Sequence, residues 1–301
     1  MNTKLDLYQA VTDNVIKLMT EHGANWTNPF NRKGAGYQAV NAVTGEAYKG
    51  VNQLLLGVTP YPLALWAGFG QWQAKGCTIK KGEKATLGLY FNVIQKTKTD
   101  KAGENKTVSI PLLKYFNVFN IDQVEGAYAD ELRARVTTSA NTCDVAAVDN
   151  AEAFFNAQGA TVTHSNVGRA CYTLLSDSIH MPNKALFEAT KHSTATECYY
   201  STLAHEFIHW TGAPARLKRD HSGRFGSQAY AFEELVAELG AAFLCAELGI
   251  STTTRADHAE YLNSWLQVLK NDNKAIVKAA TMAKAACLYL HDNARPQACA
   301  A

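Results

Sequence analysis

Two histidines and a glutamate fall within five residues of the stretch LAHEFIHWTG, positions 203–212, in a chain with nine histidines in all. In an α-helix 3.6 residues make a turn, so His205 and His209 project from one face with neighbouring imidazoles that can bind one ion. Glu206 lies beside His205 and can reach a water held on that ion. This is the chemistry of the pattern HExxH: two neutral imidazole ligands, an open coordination position, and a carboxylate to take a proton from water. Leu203, Phe207 and Ile208 would line the buried side, and Tyr199 and Tyr200 precede by about one turn, so the helix is hydrophobic enough to be internal.

A catalytic site of this type needs a third ligand. The extended pattern HExxHxxGxxH fails, because Gly212 matches its glycine but Ala215 stands where its last histidine is required. The alternative is a carboxylate on a following helix, and FEELVAELGAAF, positions 232–243, supplies it. Glu234 and Glu238 are one turn apart there, and the small residues Ala237 and Ala241 let two helices approach closely. We assign Glu234 as ligand and Glu238 as the acceptor that orients a ligating imidazole through its other N–H. Glu233 is the runner-up, rotated about 100° from Glu234; an acidic, solvent-facing first turn is the competing reading of the cluster. His180, His192 and His221 are weaker candidates. One Zn2+ per chain is the expected ion, with Mn2+ as another divalent option, and the expected reaction is peptide or amide hydrolysis. The stretch DSIHMP, 177–182, is expected to form an edge strand beside the site, where an extended peptide could add by main-chain hydrogen bonds.

These residues need elements to hold them. Periodicity predicts helices over about 193–211, 230–248, 256–270 and 273–291, with Gly212 and Gly249 where left-handed C-caps are wanted. An amphipathic helix over 148–157 and short strands at 160–163, 171–175 and 178–181 precede them. Earlier in the chain, a helix over 5–22 ends at Gly23, a short helix follows near 52–56, and residues 61–76 read as a second amphipathic helix interrupted by glycine. From 77 the character changes: a strand at 77–79, then two β-branched, aromatic-rich runs at 85–97 and 107–120 that read as a long hairpin. The fold class is α+β, with an α+β unit over 1–128, a linker over 129–147, and a mainly helical unit over 148–301.

The net charge of +2 is unevenly distributed: residues 1–128 hold 14 Lys and Arg against 9 Asp and Glu, whereas 129–301 hold 15 against 18. The first unit is therefore the better candidate for a polyanionic partner. Its suggestive features are KKGEK, with Lys80, Lys81 and Lys84 at a strand turn, and the tryptophans Trp26, Trp66 and Trp72. Cations on phosphates with aromatic faces under bases is how single-stranded nucleic acid is held, although a lysine cluster is more often a solvated turn and a tryptophan more often core. Seven scattered cysteines without a CxxC pair read as reduced structural thiols, and no apolar run approaches a membrane helix or a secretion signal. The expected location is the cytoplasm.

The quoted motifs NAVTGEAYKGVNQLLL, WQAKGCTIKKGEKAT and YFNVFNIDQVEG, followed by AHEFIHWTG and EELVAELGAAFL, together resemble plasmid-encoded antirestriction proteins of the ArdC type. The first unit is also similar to the leading segment of certain plasmid conjugative primases. The resemblance spans about residues 5–290. It implies an N-terminal domain that binds single-stranded DNA and a zincin-like metallopeptidase domain related to the minigluzincin and SprT-type folds. It further implies protection of incoming plasmid DNA from host restriction during conjugation, with His205, His209 and Glu234 as metal ligands and Glu206 as the catalytic carboxylate. Lys80, Lys81, Lys84, Trp66, Trp72, Lys49 and Asn52 are the candidate DNA contacts, chosen for basic and aromatic character near the family-like motifs. A host restriction enzyme or another protein is the candidate protein partner. Two alternatives stand beside this reading: a cytoplasmic zinc metallopeptidase whose first domain captures a protein substrate, and a non-catalytic DNA-binding protein with a structural ion.

Overall fold

The structure, a computed structural model, describes residues 6–23, 38–57, 59, 61–99, 105–139, 144–190, 193–224, 226–250 and 258–295. Among these, the first part contains helices α1 (Leu7–His22), α2 (Val51–Gly57), α3 (Phe69–Ala74) and α4 (Ala127–Ser139) and strands β1 (Val40–Asn41), β2 (Leu65–Ala67), β3 (Thr78–Ile79), β4 (Thr86–Thr99), β5 (Asn105–Asn120) and β6 (Val124–Glu125). The second part contains α5 (Asp144–Asn156), β7 (Thr161–Ser165), β8 (Cys171–Thr173), β9 (Ser178–Pro182), α6 (Ala195–Thr211), α7 (Gln228–Leu248), α8 (His258–Asn271) and α9 (Ala275–Ala294). The α+β class and the mainly helical second part match the sequence expectation.

In the first part, the expected hairpin is present as β4 and β5, paired antiparallel from Thr86↔Val118 to Thr99↔Asn105. It extends a sheet of order β1-β2-β5-β4, while β3 and β6 form a separate pair. The helix expected over 61–76 is instead strand β2 followed by the short helix α3, because Gly68 takes an extended conformation (ψ 157°) between them. Trp66 and Trp72 are both fully buried, and the indole of Trp72 donates to the Phe119 carbonyl at 3.0 Å. The expected linker over 129–147 is largely helical, in α4 and α5. The few apolar residues of α4 still find a core: Ala129 is buried beside Trp72 and Ile121, with Tyr128 and Leu132 packed against them.

Helix α1 does not stay with the sheet that follows it. Its N-terminus is capped by Asp6, which accepts from the Tyr8 and Gln9 amides at 3.0 and 3.2 Å. Val11, Val15 and Met19, spaced by four, are buried in the same core as α8 and α9, and the Thr12 hydroxyl donates to the Asn273 carbonyl at 2.8 Å. The N-terminal helix thus completes the hydrophobic face of the second part.

Helices α6 and α7 lie side by side at the centre of that second part. Gly240 makes their approach possible: a Cβ there would meet Ile208 at 2.8 Å. Helix α6 starts with a capping box, in which Thr194 accepts from the Glu197 amide at 3.2 Å and Glu197 accepts from the Thr194 amide at 2.7 Å. Helix α7 ends at Gly249 in the left-handed conformation (φ 70°, ψ 28°), as expected. Gly212 differs from expectation, since its φ of −78° is right-handed. Glycine is required there for space: a Cβ would run into the His221 imidazole and the Arg219 guanidinium, which fold back over the end of α6. Gly212→Ala should therefore lower stability by about 1–3 kcal/mol, measurable as a shifted midpoint in thermal unfolding.

The three-stranded sheet β7-β9-β8 covers α6, with β7 parallel and β8 antiparallel to β9. Strand β9 was expected at an edge. It is the central strand, and β8 is the edge on the α6 side.

Candidate metal centre

The helical period places His205 and His209 on one face of α6, and the close α6–α7 contact brings Glu234 against them. The two Nε2 atoms face each other at 3.1 Å, and the Glu234 carboxylate oxygens lie 3.5 Å from each. All three side chains are buried, and their donor atoms fall within 4.8 Å of one another. Ligands held about 2.0–2.1 Å from an ion at tetrahedral angles are themselves roughly 3.4 Å apart. Two imidazole nitrogens and a carboxylate converging at that spacing fit a divalent cation.

The rings are held from behind. His209 Nδ1 lies 3.1 Å from Glu233 Oε1, and Glu233 in turn accepts from Arg219 Nη2 at 2.9 Å and Nε at 3.0 Å. Arg219 also donates to the Thr211 hydroxyl at 2.8 Å and to the Ile208 carbonyl, so it ties the end of α6 to α7. On the other ring, His205 Nδ1 is 3.7 Å from Glu238 Oε2, just beyond a hydrogen bond, and this nitrogen has no hydrogen-bond partner. Glu238 was expected to be the acceptor that orients an imidazole; the hydrogen bond that supports a ring comes instead from Glu233, to His209. The 100° rotation between Glu233 and Glu234 is what gives adjacent carboxylates these two different duties.

Burial works against a charged His209, but the Glu233 hydrogen bond and the nearby Glu234 and Glu233 carboxylates outweigh it and raise the imidazole's pKa. For Glu233 burial pushes the pKa up; the hydrogen bonds from His209 and Arg219 overcome this and hold the carboxyl at about 2. It is therefore a carboxylate throughout the ordinary pH range. Glu233→Gln keeps the shape but removes that charge, and should weaken metal binding by about 10–100-fold in a competitive chelator titration.

Glu206, buried on α6, joins His205, His209 and Glu234 in lining a cleft of about 300 Å³. Its other walls include Tyr172 of β8, Tyr230 of α7, and His221. Burial lowers the pKa of His221, whose Nε2 lies 4.0 Å from Glu233 Oε1. Sequence spacing marked Arg219 not at all and His221 only weakly, because both come from a loop without periodicity. The signal that could have found them is Gly212, whose missing side chain makes room for both. The return of this loop is fixed by Arg216, which stacks on the Trp210 ring with its guanidinium carbon 3.9 Å from the centroid and pairs with Asp177. His180 points elsewhere, with Nε2 at 3.0 Å from the Ser165 hydroxyl, and His192 lies outside the described residues.

The candidate DNA residues separate into four groups. Lys80, Lys81 and Lys84 are exposed in the turn between β3 and β4, with Lys80 Nζ donating to the Asp122 carbonyl at 2.9 Å. Trp66 and Trp72 have no exposed face on which a base could stack, which corrects their assignment as platforms. The Asn52 amide is occupied on both sides by the Leu89 backbone, at 2.7 Å each, where it closes the free edge of β4. Lys49 is exposed, but lies beside α9 rather than near the lysine turn. Trp26 lies outside the described residues. Among the described residues the exposed aromatic rings are Phe69, Tyr90 and Tyr115, at 57%, 50% and 55% exposure, and Tyr90 stands opposite Lys114 in the hairpin. Alternation within β4 and β5 could have singled out the two tyrosines.

Comparison with known proteins follows the same two-part division. Residues 5–119 match the family model of the N-terminal domain of anti-restriction factor ArdC, and residues 149–282 match that of a zincin-like metallopeptidase. An uncharacterized protein of Sinorhizobium fredii, y4eC, is 32% identical over 298 residues, covering 96% of this chain and 92% of that one. DNA primase TraC of Escherichia coli is 32% identical over 296 residues, but this chain spans only 26% of TraC's length. Two crystal structures of the antirestriction ArdC protein from plasmid R388 are also similar. The metal-free form superposes with a TM-score of 0.73 at 37% identity, covering 96% of this chain and 98% of that one. The Mn(II)-bound form gives 0.72 at 37% identity, covering 97% and 100%. With likeness of this extent in sequence, domain order and three-dimensional structure, the chain belongs to the ArdC family of antirestriction proteins and pairs an ArdC-type N-terminal domain with a zincin-like domain.

Proposed function

We propose that this protein binds single-stranded DNA through its first domain, protects incoming plasmid DNA from host restriction during conjugation, and hydrolyses peptide bonds at a divalent-metal centre in its second. The observation that carries the hydrolase half is the convergence of His205 Nε2, His209 Nε2 and a Glu234 oxygen at ligand-to-ligand spacing, with Glu206 on the wall of the same cleft. Two imidazoles and a carboxylate suit Zn2+ and also accept Mn2+, the ion of the R388 ArdC structure. When bound, such an ion supplies Lewis acidity toward a carbonyl oxygen. Glu206, on the wall of the same cleft, would take a proton from water at its carboxylate and pass one to the departing amine. Glu233 and Arg219 hold the His209 ring in its orientation. A peptide substrate would lie along β8, the edge strand whose residues Cys171 and Tyr172 line the cleft, since β9 is paired on both sides.

The DNA half is supported by the family of the first domain, by its surplus of positive charge, and by exposed Lys80, Lys81 and Lys84. Binding to a single-stranded oligonucleotide should weaken linearly on a log–log plot against salt. Reversing the charge of those three lysines together should reduce that slope by about 2. An unchanged slope and affinity would remove the turn from the interface. Among the described residues no helix is long and apolar enough to cross a membrane.

A further inference from the structure

A second cleft, of about 530 Å³, lies well away from the metal centre, where the segment 38–53 crosses α5, α7 and α9. That volume falls within the roughly 300–1,000 Å³ of small-molecule sites. Gly50 takes a φ of +58°, which favours glycine, where this segment meets α9; a Cβ built on it would lie in ordinary contact, 3.6 Å from the Ala280 carbonyl oxygen.

The lining is chemically mixed in an informative way. Tyr48 and Phe154 contribute aromatic rings. The carboxylates are already engaged: Glu247 Oε2 is 2.6 Å from His291 Nε2, and Asp292 lies 3.3 Å from Arg295. Lys49 and Lys284, both exposed at the rim, make no ion pair among the described residues. They leave the site with a local positive surplus.

Gln53 adds an independent observation. It is 2% exposed and lines the cleft, and its Nε2 has no hydrogen-bond partner. The amide cannot be reversed to cure this, because Oε1 already accepts from the Ala39 amide at 3.1 Å. A buried donor without an acceptor is uncommon in folded proteins and calls for an acceptor from outside the chain.

We propose that this cleft binds a nucleotide unit, with its base against the Tyr48 and Phe154 rings, an acceptor atom of the base or sugar on Gln53 Nε2, and its phosphate at Lys49 and Lys284. The unit can be a free nucleotide or one residue of a DNA strand. Only the second case rests on the DNA-binding reading of the first domain. Because α7 carries Glu234 near one end and Glu247 near the other, an occupied cleft touches the helix that holds the candidate metal ligand.

The test uses the full chain, with dAMP as one probe and a fluorescent single-stranded oligodeoxyadenylate as the other. Isothermal titration with dAMP should saturate at one site per chain. The variant Lys49→Glu/Lys284→Glu, confined to exposed positions, should weaken dAMP at least tenfold, while Lys270→Glu, exposed in the last turn of α8, should leave it unchanged. Gln53→Met, which removes the amide donor, should weaken dAMP and leave phosphate-only probes such as inorganic phosphate unaffected. Competition between dAMP and the oligonucleotide supports a strand residue as occupant; dAMP binding without competition supports a free nucleotide. Absence of dAMP binding, or binding indifferent to Lys49→Glu/Lys284→Glu, overturns the proposal. If the oligonucleotide binds wild type in that case, the DNA-binding reading survives; if dAMP binds but the oligonucleotide does not, only that reading fails.

Discussion

Glu206→Gln is expected to lower the turnover of peptide hydrolysis by about 10²–10⁴-fold while leaving metal content and fold unchanged. The reasoning is local. Glu206 follows His205 on a helix whose register is locked by burial on both sides, with Phe207 and Ile208 fully buried. An amide of the same shape fills the same space, and it cannot take up a proton at neutral pH. The two measurements are a turnover assay on a denatured protein substrate and metal analysis of the same sample. Loss of turnover with retained metal assigns the proton-transfer role. The same variant separates the readings of the whole protein: if it still protects DNA from restriction in a conjugation assay, protection does not proceed through proteolysis.

The second large effect concerns the ion itself. A ligand that binds only the native state stabilises it by RT ln(1 + [L]/Kd), or about 4 kcal/mol at a thousandfold excess over Kd. For a unit the size of the second domain that corresponds to a rise in melting temperature of roughly 10 °C. Adding Zn2+ or Mn2+ to chelator-treated protein should produce such a rise by calorimetry. Glu234→Ala should abolish it, since this carboxylate alone meets both Nε2 atoms at 3.5 Å. A rise that persists in Glu234→Ala would place the ion elsewhere.

Much of the centre can be read from sequence because it depends on helical period. Spacing of four put His205 and His209 on one face, and a second helix with small residues put a carboxylate within reach. Rotation by 100° shows that Glu233 and Glu234 cannot both face one ion, but which of them does is decided by packing, which brings Glu234 to both Nε2 atoms. Strand order could not be read in this way: β9 carries a good strand pattern, but whether it is central or at an edge depends on β7 and β8, which pair with it from both sides. Tryptophan in the first part misled for a related reason. An indole serves equally well as core or platform, and only the packing of β2, α3 and β5 around Trp66 and Trp72 decides for core. Helix α1 has a clear apolar stripe, yet its partner lies more than 250 residues further on, as the bond from Thr12 to Asn273 illustrates. Arg219 escaped, and His221 stood out only weakly, because they sit in a loop, and Gly212 was read as a left-handed C-cap when its duty is to leave room for them.

The account's central claim is that His205, His209 and Glu234 grip one divalent cation. X-ray absorption spectroscopy at the metal edge on purified, zinc-loaded protein tests it most directly, with Glu234→Ala as the paired sample. The prediction is one ion per chain with two imidazole nitrogens at about 2.0–2.1 Å and oxygen completing the shell, and loss of stoichiometric metal in the variant. Protein that takes up no stoichiometric metal, or a coordination shell with sulfur in it or unchanged by the substitution, would contradict it.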